Sequence, residues 1–212
     1  YDGQNGILLA SRWPLNNREV IRLKSSFSNR VALFATIELV GFEPIEIACA
    51  HISTSNAVPP NYPEFTTWDE EMIDQIKTIS TRLKQRAGNH PMLFFGDMNA
   101  GPAIGEEILA LAVHVWNRIV EFGFISPAAR SLTPFCSMCN DNTLRPNGSK
   151  DYLIDHVLVR DPAGGTELKP VCAYPIYDQR RIFKGYNGEW VDLHLSDHRG
   201  VVVKFHLTAV RQ

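Results

Sequence analysis

Apolar positions change period along the chain, and the changes mark its elements. From Val31 to Val40, the residues Val31, Leu33, Ala35, Ile37 and Leu39 recur at every second position, the period of a strand with one buried face. Gly41-Phe42-Glu43-Pro44 then turns the chain into Ile45–His51, whose neighbours on both faces are mostly apolar. The two runs read as an antiparallel hairpin in the interior of a sheet. Short strands are predicted at Ile7–Ala10 and Glu19–Leu23, parted by Arg12-Trp13-Pro14 and an Asn16-Asn17 turn. Met92–Gly96, Tyr152–Arg160, Leu168–Tyr174 and Gly200–Thr208 extend the β set. In the last of these, Val201, Val203, Phe205 and Leu207 face inward while Lys204 and His206 face outward.

Two stretches carry a helical period instead. Thr67 with Glu70 has the signature of a capping box, and Met72, Ile76, Ile79 and Leu83 form one apolar stripe. Asp69, Glu70 and Glu71 suit the first turn of this helix, Lys84 and Arg86 its last, and Gly88 its stop. The stripe reads as core, and the helix is given no catalytic role. A second helix is predicted from near Gly105 to Phe122, with Ile108, Leu111, Ala112, Val115, Ile119 and Phe122 inward. His114 and Trp116 on it read as packing or surface residues. Ser53 to Pro63 and Leu132 to Lys150 read as loops. Strand pairs close in sequence, mixed with helices and without repeats, indicate one α+β domain over residues 1–212, built from two packed sheets flanked by helices.

Composition narrows the class without choosing a function. The 212 residues are 44% hydrophobic and 21% charged, which sets aside disordered and collagen-like chains. Lys+Arg number 21 against 23 Asp+Glu, a formal net charge of -2, so no global field draws the chain to nucleic acid or an anionic membrane. A nucleic-acid substrate stays compatible, because a site that holds cations carries its own positive charge. No apolar run approaches the ~18 residues of a transmembrane segment. Tyr1-Asp2-Gly3-Gln4-Asn5-Gly6 lacks an initiator Met and leads straight into apolar residues, so the opening reads as that of a mature, cleaved or trimmed chain.

Four cysteines are too few for a disulfide scaffold. Cys49, in an apolar strand, reads as a small buried hydrophobe. Cys136 and Cys139 form an isolated CxxC in a loop. Zinc would need two more ligands at motif spacing, and a thioredoxin-type pair would open a helix; neither context is present. A local disulfide or a pair of free thiols remains, and a disulfide would favour a secreted or extracellular protein.

Polar residues stand at the ends of, or inside, four otherwise apolar strands: His51; Asp97 with Asn99; Asp155 with His156; Asp197 with His198. Such residues are costly to bury unless they pair, bind a metal or take part in chemistry. Each has a plain reading alone, as a satisfied core histidine, a turn or a cap. Their order is more telling. Gly96-Asp97-Met98-Asn99, Ile154-Asp155-His156 and Ser196-Asp197-His198 follow Asn5-Gly6-Ile7-Leu8-Leu9-Ala10-Ser11-Arg12-Trp13-Pro14 and Ala48-Cys49-Ala50-His51. These five blocks, in this order over nearly the whole chain, resemble the endonuclease/exonuclease/phosphatase superfamily. That group includes pancreatic-type deoxyribonucleases, abasic-site endonucleases, neutral sphingomyelinases and inositol-polyphosphate 5-phosphatases.

The resemblance implies a four-layer αββα sandwich of two mainly antiparallel sheets. It also implies a divalent-metal-dependent phosphodiesterase that cleaves by in-line attack of water. Carboxylates and an amide oxygen suit hard Mg²⁺, with Mn²⁺ or Ca²⁺ as alternatives, and the absence of soft ligands from the clusters argues against zinc. By the resemblance Asp97 orients or deprotonates the water, and Asn99 holds the phosphate or that water. His198 faces the phosphate with Asp155 fixing its tautomer, Asp197 binds metal, and His51 donates to a phosphate oxygen. Arg12 reads as structural. The family's metal-binding Asn and Glu normally precede the block matched by Asn5–Pro14, so the domain is expected to lack an N-terminal strand and a Glu-bearing segment. Either that piece is missing, as a separate fragment or by trimming, or the chain is a metal-deficient relative.

The substrate stays open between nucleic acid (DNA or RNA) and a phospholipid headgroup. Val58-Pro59-Pro60-Asn61-Tyr62-Pro63 is placed to line a cleft beside Trp68. Arg180, Arg181 and Lys184 suit phosphates. Tyr174, Tyr177, Phe183, Tyr186 and Trp190 suit a lipid surface, and a plain solvated loop fits the same stretch. The competing function is a non-catalytic subunit or fragment that acts by binding. A Ser-His-Asp hydrolase is the weakest rival, since Ser11, Ser53 and Ser196 lack the Gly-x-Ser-x-Gly elbow.

Overall fold

Why the chain forms one central sheet follows from its most apolar strands. The computed structural model of the chain describes residues 6–161, 166–185 and 187–208. Asn5, at the head of the first sequence block, and Tyr186 lie outside the described residues. In chain order the elements are β1 (Leu15–Arg22), β2 (Val31–Ile37), β3 (Ile45–Ala50), α1 (Trp68–Ala87), β4 (Met92–Asp97), β5 (Ile108–Leu109) and α2 (Val113–Glu121). A 3-10 turn at Ala128–Arg130 precedes β6 (Asp151–Tyr152), β7 (Asp155–Arg160), β8 (Glu167–Ile176), β9 (Arg181–Lys184), β10 (Trp190–Leu193) and β11 (Gly200–Thr208). A five-stranded sheet runs β1-β2-β3-β4-β7. The β2–β3 hairpin is antiparallel and interior, as its two-sided apolar pattern predicts. Only the β3–β4 pair is parallel within this sheet, and α1 makes the crossover that a parallel pair requires.

Both faces of this sheet are buried. On one, Ala32, Phe34, Ala48, Ala50 and Phe94 pack against Met72, Ile76, Ile79 and Leu83 of α1 and Val115 and Ile119 of α2. On the other, Ala35, Ile45, Ile47 and Val159 meet Leu168 of β8 and Phe205 and Leu207 of β11. The antiparallel β8–β11 pair forms a second, two-stranded sheet. The α+β class and the stacking of two sheets therefore stand. Among the described residues the helices lie on one side, giving an α layer, a five-stranded layer and a two-stranded layer. No helix among them is long and apolar enough to cross a membrane.

Helix α1 begins at its predicted cap. Thr67 accepts from the Glu70 amide and the Glu70 side chain returns to the Thr67 amide, so two orphan donors of the first turn are satisfied. Several boundaries differ from expectation, each for a local reason. Residues 7–10 form no strand, although Leu9 packs on the sheet face that carries Ala35, Ile45 and Ile47. Asn16 and Asn17 lie inside β1 rather than in a turn: Asn17 has φ +48° at a register shift, a bulge that asparagine tolerates. β2 ends at Ile37, and its alternate face holds Ala32 and Phe34, because a sheet covered on both sides buries both sets. The predicted second helix shrinks to α2, since Ile108–Leu109 pairs with Asp151–Tyr152 and Ala112 sits at φ +46° just before the helix. Tyr152–Arg160 splits at Leu153-Ile154, and the β9–β10 hairpin was not anticipated.

Candidate active site

Three strand ends meet at one edge of the five-stranded sheet. β3 ends at Ala50 just before His51, parallel β4 ends at Asp97, and antiparallel β7 begins at Asp155. Register pairs Asp97 with Asp155 directly, so their carboxylates project from the same face. Burial and then the neighbouring Asp155 charge push the Asp97 carboxyl up to about 7. Such crowding requires the backbones to approach closely. Gly96 has φ +136°, and a Cβ there would lie 1.9 Å from the Ala50 carbonyl oxygen. A Cβ on Gly101 would lie 1.8 Å from the Leu153 carbonyl oxygen. Only glycine fits either place.

The turn after β4 fixes Asn99. Its amide N–H donates to Asp97 Oδ1 at 2.8 Å, its φ is +47°, and Nδ2 donates to the Ile52 carbonyl at 2.9 Å. Asparagine is suited here by its tolerance of the left-handed region and its local hydrogen bonding. His51 Nε2 stands 3.4 Å from Asp97 Oδ2. Burial and the Arg30 guanidinium hold the His51 imidazole below its usual range, while Arg30 Nη1 donates to the His51 carbonyl at 2.8 Å. His51 is thus favoured neutral beside the Asp97 carboxyl.

His198 completes the group from a distant part of the chain. Its Nδ1 lies 2.8 Å from Asp155 Oδ2 and 3.9 Å from Asp97 Oδ2. The bond to Asp155 raises the imidazole above its usual range and fixes Nδ1 as a nitrogen that carries a proton. Asp97, Asp155 and His198 each offer a ligand atom within 4.8 Å of the others. Asp197 does not join them: it is exposed, and its Oδ1 accepts from Ser196 Oγ at 3.3 Å. His156 also lies apart. Strand alternation turns it away from Asp155 into the core, where Nδ1 meets Ser126 Oγ at 2.9 Å and Nε2 meets the Ala100 carbonyl at 3.1 Å. Its burial drives the imidazole down to about 4.

Sequence reasoning missed several supporting residues. Arg30 precedes β2 in a polar stretch and gave no signal. Glu71 and Gln75, both fully buried on α1, hold Ser53: Ser53 Oγ donates to Glu71 at 2.6 Å and Ser53 N–H to Gln75 at 2.9 Å. Two polar residues at i and i+4 on the apolar side of a helix were the available clue. Trp68 Nε1 donates to the carbonyls of Asn56 and Val58 at 3.1 and 2.9 Å, which ties down the proline-bearing loop. Cys136 and Cys139 form a disulfide, while Cys49 is buried with its thiol pushed up to about 11 and Cys172 is exposed. A groove of about 960 Å³ along β8 is lined by Ile125, Phe135 and Leu168 and by none of the residues gathered here, so it does not locate this chemistry.

No family model matches the chain, and no curated protein matches it in sequence. Solved structures do match its fold. TDP2 from D. rerio, complexed with a single-strand DNA product, aligns with TM-score 0.61 at 14% identity, over 91% of this chain and 68% of that one. Sphingomyelinase C from Streptomyces griseocarneus aligns with TM-score 0.62 at 14% identity, over 92% of this chain and 65% of that one. An endonuclease/exonuclease/phosphatase family protein from Bacteroides thetaiotaomicron aligns with TM-score 0.60 at 14% identity, over 92% and 65%. The chain thus spans about two thirds of the length of these proteins, and over that span it has the endonuclease/exonuclease/phosphatase fold.

Proposed function

We propose that this chain, with its endonuclease/exonuclease/phosphatase fold, is a divalent-metal-dependent phosphodiesterase. The observation that carries the reading is the in-register Asp97–Asp155 pair with His198 bonded to one carboxylate and His51 beside the other. Two adjacent carboxylates leave negative charge that a cation offsets, and the Asp97 carboxyl is pushed up by its burial first and by the Asp155 charge second. The donor set therefore fits a hard ion, Mg²⁺ first and Mn²⁺ or Ca²⁺ as alternatives. Asp197, exposed and outside the trio of Asp97, Asp155 and His198, is proposed as a further carboxylate towards the ion rather than its sole holder. When bound, the ion would neutralise phosphate charge and polarise a phosphate oxygen.

The chain's own groups divide the remaining work. Asp97 orients the attacking water and takes its proton. Asn99, its amide plane set by the Ile52 carbonyl, holds the water or a phosphate oxygen. His51 donates towards the phosphate. His198, with Nδ1 committed to Asp155, presents Nε2 to the substrate in a fixed tautomer. Cross-strand pairs Ile182–Asp192 and Lys184–Trp190 put Ile182 and Trp190 on one face of the β9–β10 hairpin, each 71% exposed. Arg181 and Lys184 add positive charge, while Arg180 is paired with Asp192 at 3.2 Å. Exposed apolar residues interleaved with cations favour a phospholipid surface over a nucleic-acid groove. The disulfide suits an exported protein.

The test incubates the polypeptide as its gene encodes it with sphingomyelin vesicles or plasmid DNA, in Mg²⁺ with and without EDTA. Headgroup release that EDTA abolishes is expected. DNA nicking in place of lipid cleavage would keep the phosphodiesterase and replace the lipid. Binding without cleavage of either would leave a non-catalytic module, and cleavage indifferent to EDTA would remove the metal.

A further inference from the structure

Asp155 and His198 are bonded across 43 positions of sequence and belong to different layers. Asp155 opens β7 in the five-stranded sheet, whereas His198 stands just before β11 in the two-stranded one. What spans the two is the loop closed by the Cys136–Cys139 disulfide. Ser137, between the two cysteines, is fully buried. Its Oγ accepts from the backbone N–H of Ile154 and of Asp155, each at 3.0 Å. Its own N–H donates to the Tyr152 carbonyl at 2.9 Å, and its carbonyl accepts from the Arg199 N–H at 2.7 Å. One buried residue is therefore bonded both to the backbone that carries Asp155 and to the residue next to His198.

The same run grips the His198 segment further on. Asp141 accepts from Arg199 Nη2 at 2.8 and 2.6 Å, Asn142 Nδ2 donates to the Ser196 carbonyl at 2.8 Å, and Thr143 Oγ1 accepts from the His194 N–H at 3.0 Å. On the other side the Met138 N–H donates to the Tyr152 carbonyl at 3.0 Å. The disulfide narrows the conformations of the short loop that presents Ser137 in this position.

We propose that Ser137 is a positioning residue that sets Asp155 against His198, and that the Cys136–Cys139 bond makes this brace, and with it the site, sensitive to reduction. A dithiol supplies the two electrons and two protons: the S–S bond breaks, Cys136 and Cys139 become thiols, and the dithiol closes to its own disulfide. Cys49 and Cys172 are unpaired, so among the described cysteines reduction touches this bond alone. The claim about position stands on geometry; the claim about turnover rests on the phosphodiesterase reading.

The experiment records imidazole ¹H–¹⁵N spectra of the ¹⁵N-labelled protein in four states: oxidised, reduced with dithiothreitol, reoxidised, and as Ser137→Ala. Turnover is measured in parallel. The expected result is that the His198 Nδ1 signal leaves its hydrogen-bonded position in the reduced and Ser137→Ala forms and returns on reoxidation. The His156 signals, held by Ser126 and Ala100, stay in place and report an intact core. Turnover should fall at least tenfold in kcat with KM within twofold, and should recover with reoxidation. Unchanged His198 signals after two thiols have appeared would overturn the brace, and this arm holds even if Ser137→Ala does not fold. Displaced His198 signals with unchanged kcat in an active enzyme would overturn its role in positioning. If the oxidised wild type cleaves no phosphodiester, the proposed function falls and the spectra alone judge the brace.

Discussion

Asp97 and Asp155 owe their places to sheet register, whereas His198 owes its place to hydrogen bonds from a loop. The first half of the site sits where three core strands end, and Gly96 and Gly101 admit a backbone approach that any Cβ would block. The second half sits on residues 194–199, which form no strand and are held through Ser137, Asp141, Asn142 and Thr143. Packing that continues into a core is lost all at once, because β-register has no intermediate setting. A set of side-chain bonds can be loosened one at a time. The contrast predicts that the carboxylate half fails with the fold and the histidine half fails before it.

The largest test strikes the sheet half. Gly96→Ala drives a methyl into the Ala50 carbonyl at a positive φ, and a loss of about 3 kcal/mol or more is expected. Urea unfolding should show it, and a midpoint near that of wild type would mean that the strands part without cost. Acid probes the same half through His156. Its folded pKa of about 4 lies below the ordinary value of about 6.5, so the fold favours the neutral ring. Its contribution is complete above about pH 6.5 and is lost as pH falls toward 4, about 3 kcal/mol in all at 1.36 kcal/mol per pH unit. Unfolding free energies taken across that window should slope accordingly, and His156→Gln should flatten the slope.

The smallest change in stability should come from the loop half. Asn142→Ala removes one bond to Ser196 and one to the Leu144 amide, a loss of about 1–2 kcal/mol. If the comparison is right, kcat falls out of proportion to that loss, because His198 loosens while the sheet stays whole. Equal, small losses in both would show that the two halves are held alike.

How much of this the sequence revealed follows the same division. Helix α1 was legible because its capping box, apolar stripe and charged ends all agree. The carboxylates were legible because polar residues closing apolar strands stand out. Asp155-His156 looked like one cluster, yet the two-residue period of a strand sends His156 into the core and leaves Asp155 to pair with His198. Asp197 was grouped with His198 by adjacency, and the structure leaves it outside the trio of Asp97, Asp155 and His198. Ser137 gave no sign at all. Its role depends on backbone amides of residues 17 and 18 positions away, and backbone amides carry no letter in a sequence. The β9–β10 hairpin was hidden for a related reason: its exposed faces lack the apolar alternation that marks a buried strand.

Under the proposed function, His51, Asp97, Asn99, Asp155 and His198 form one catalytic site. The most direct measurement is the kcat of His198→Ala on a phosphodiester that the wild type cleaves, with far-UV circular dichroism and the unfolding midpoint recorded on the same sample. A loss of about 10³-fold, equivalent to about 4 kcal/mol, is expected in a protein that stays folded. Turnover within twofold of wild type from that folded variant would contradict it.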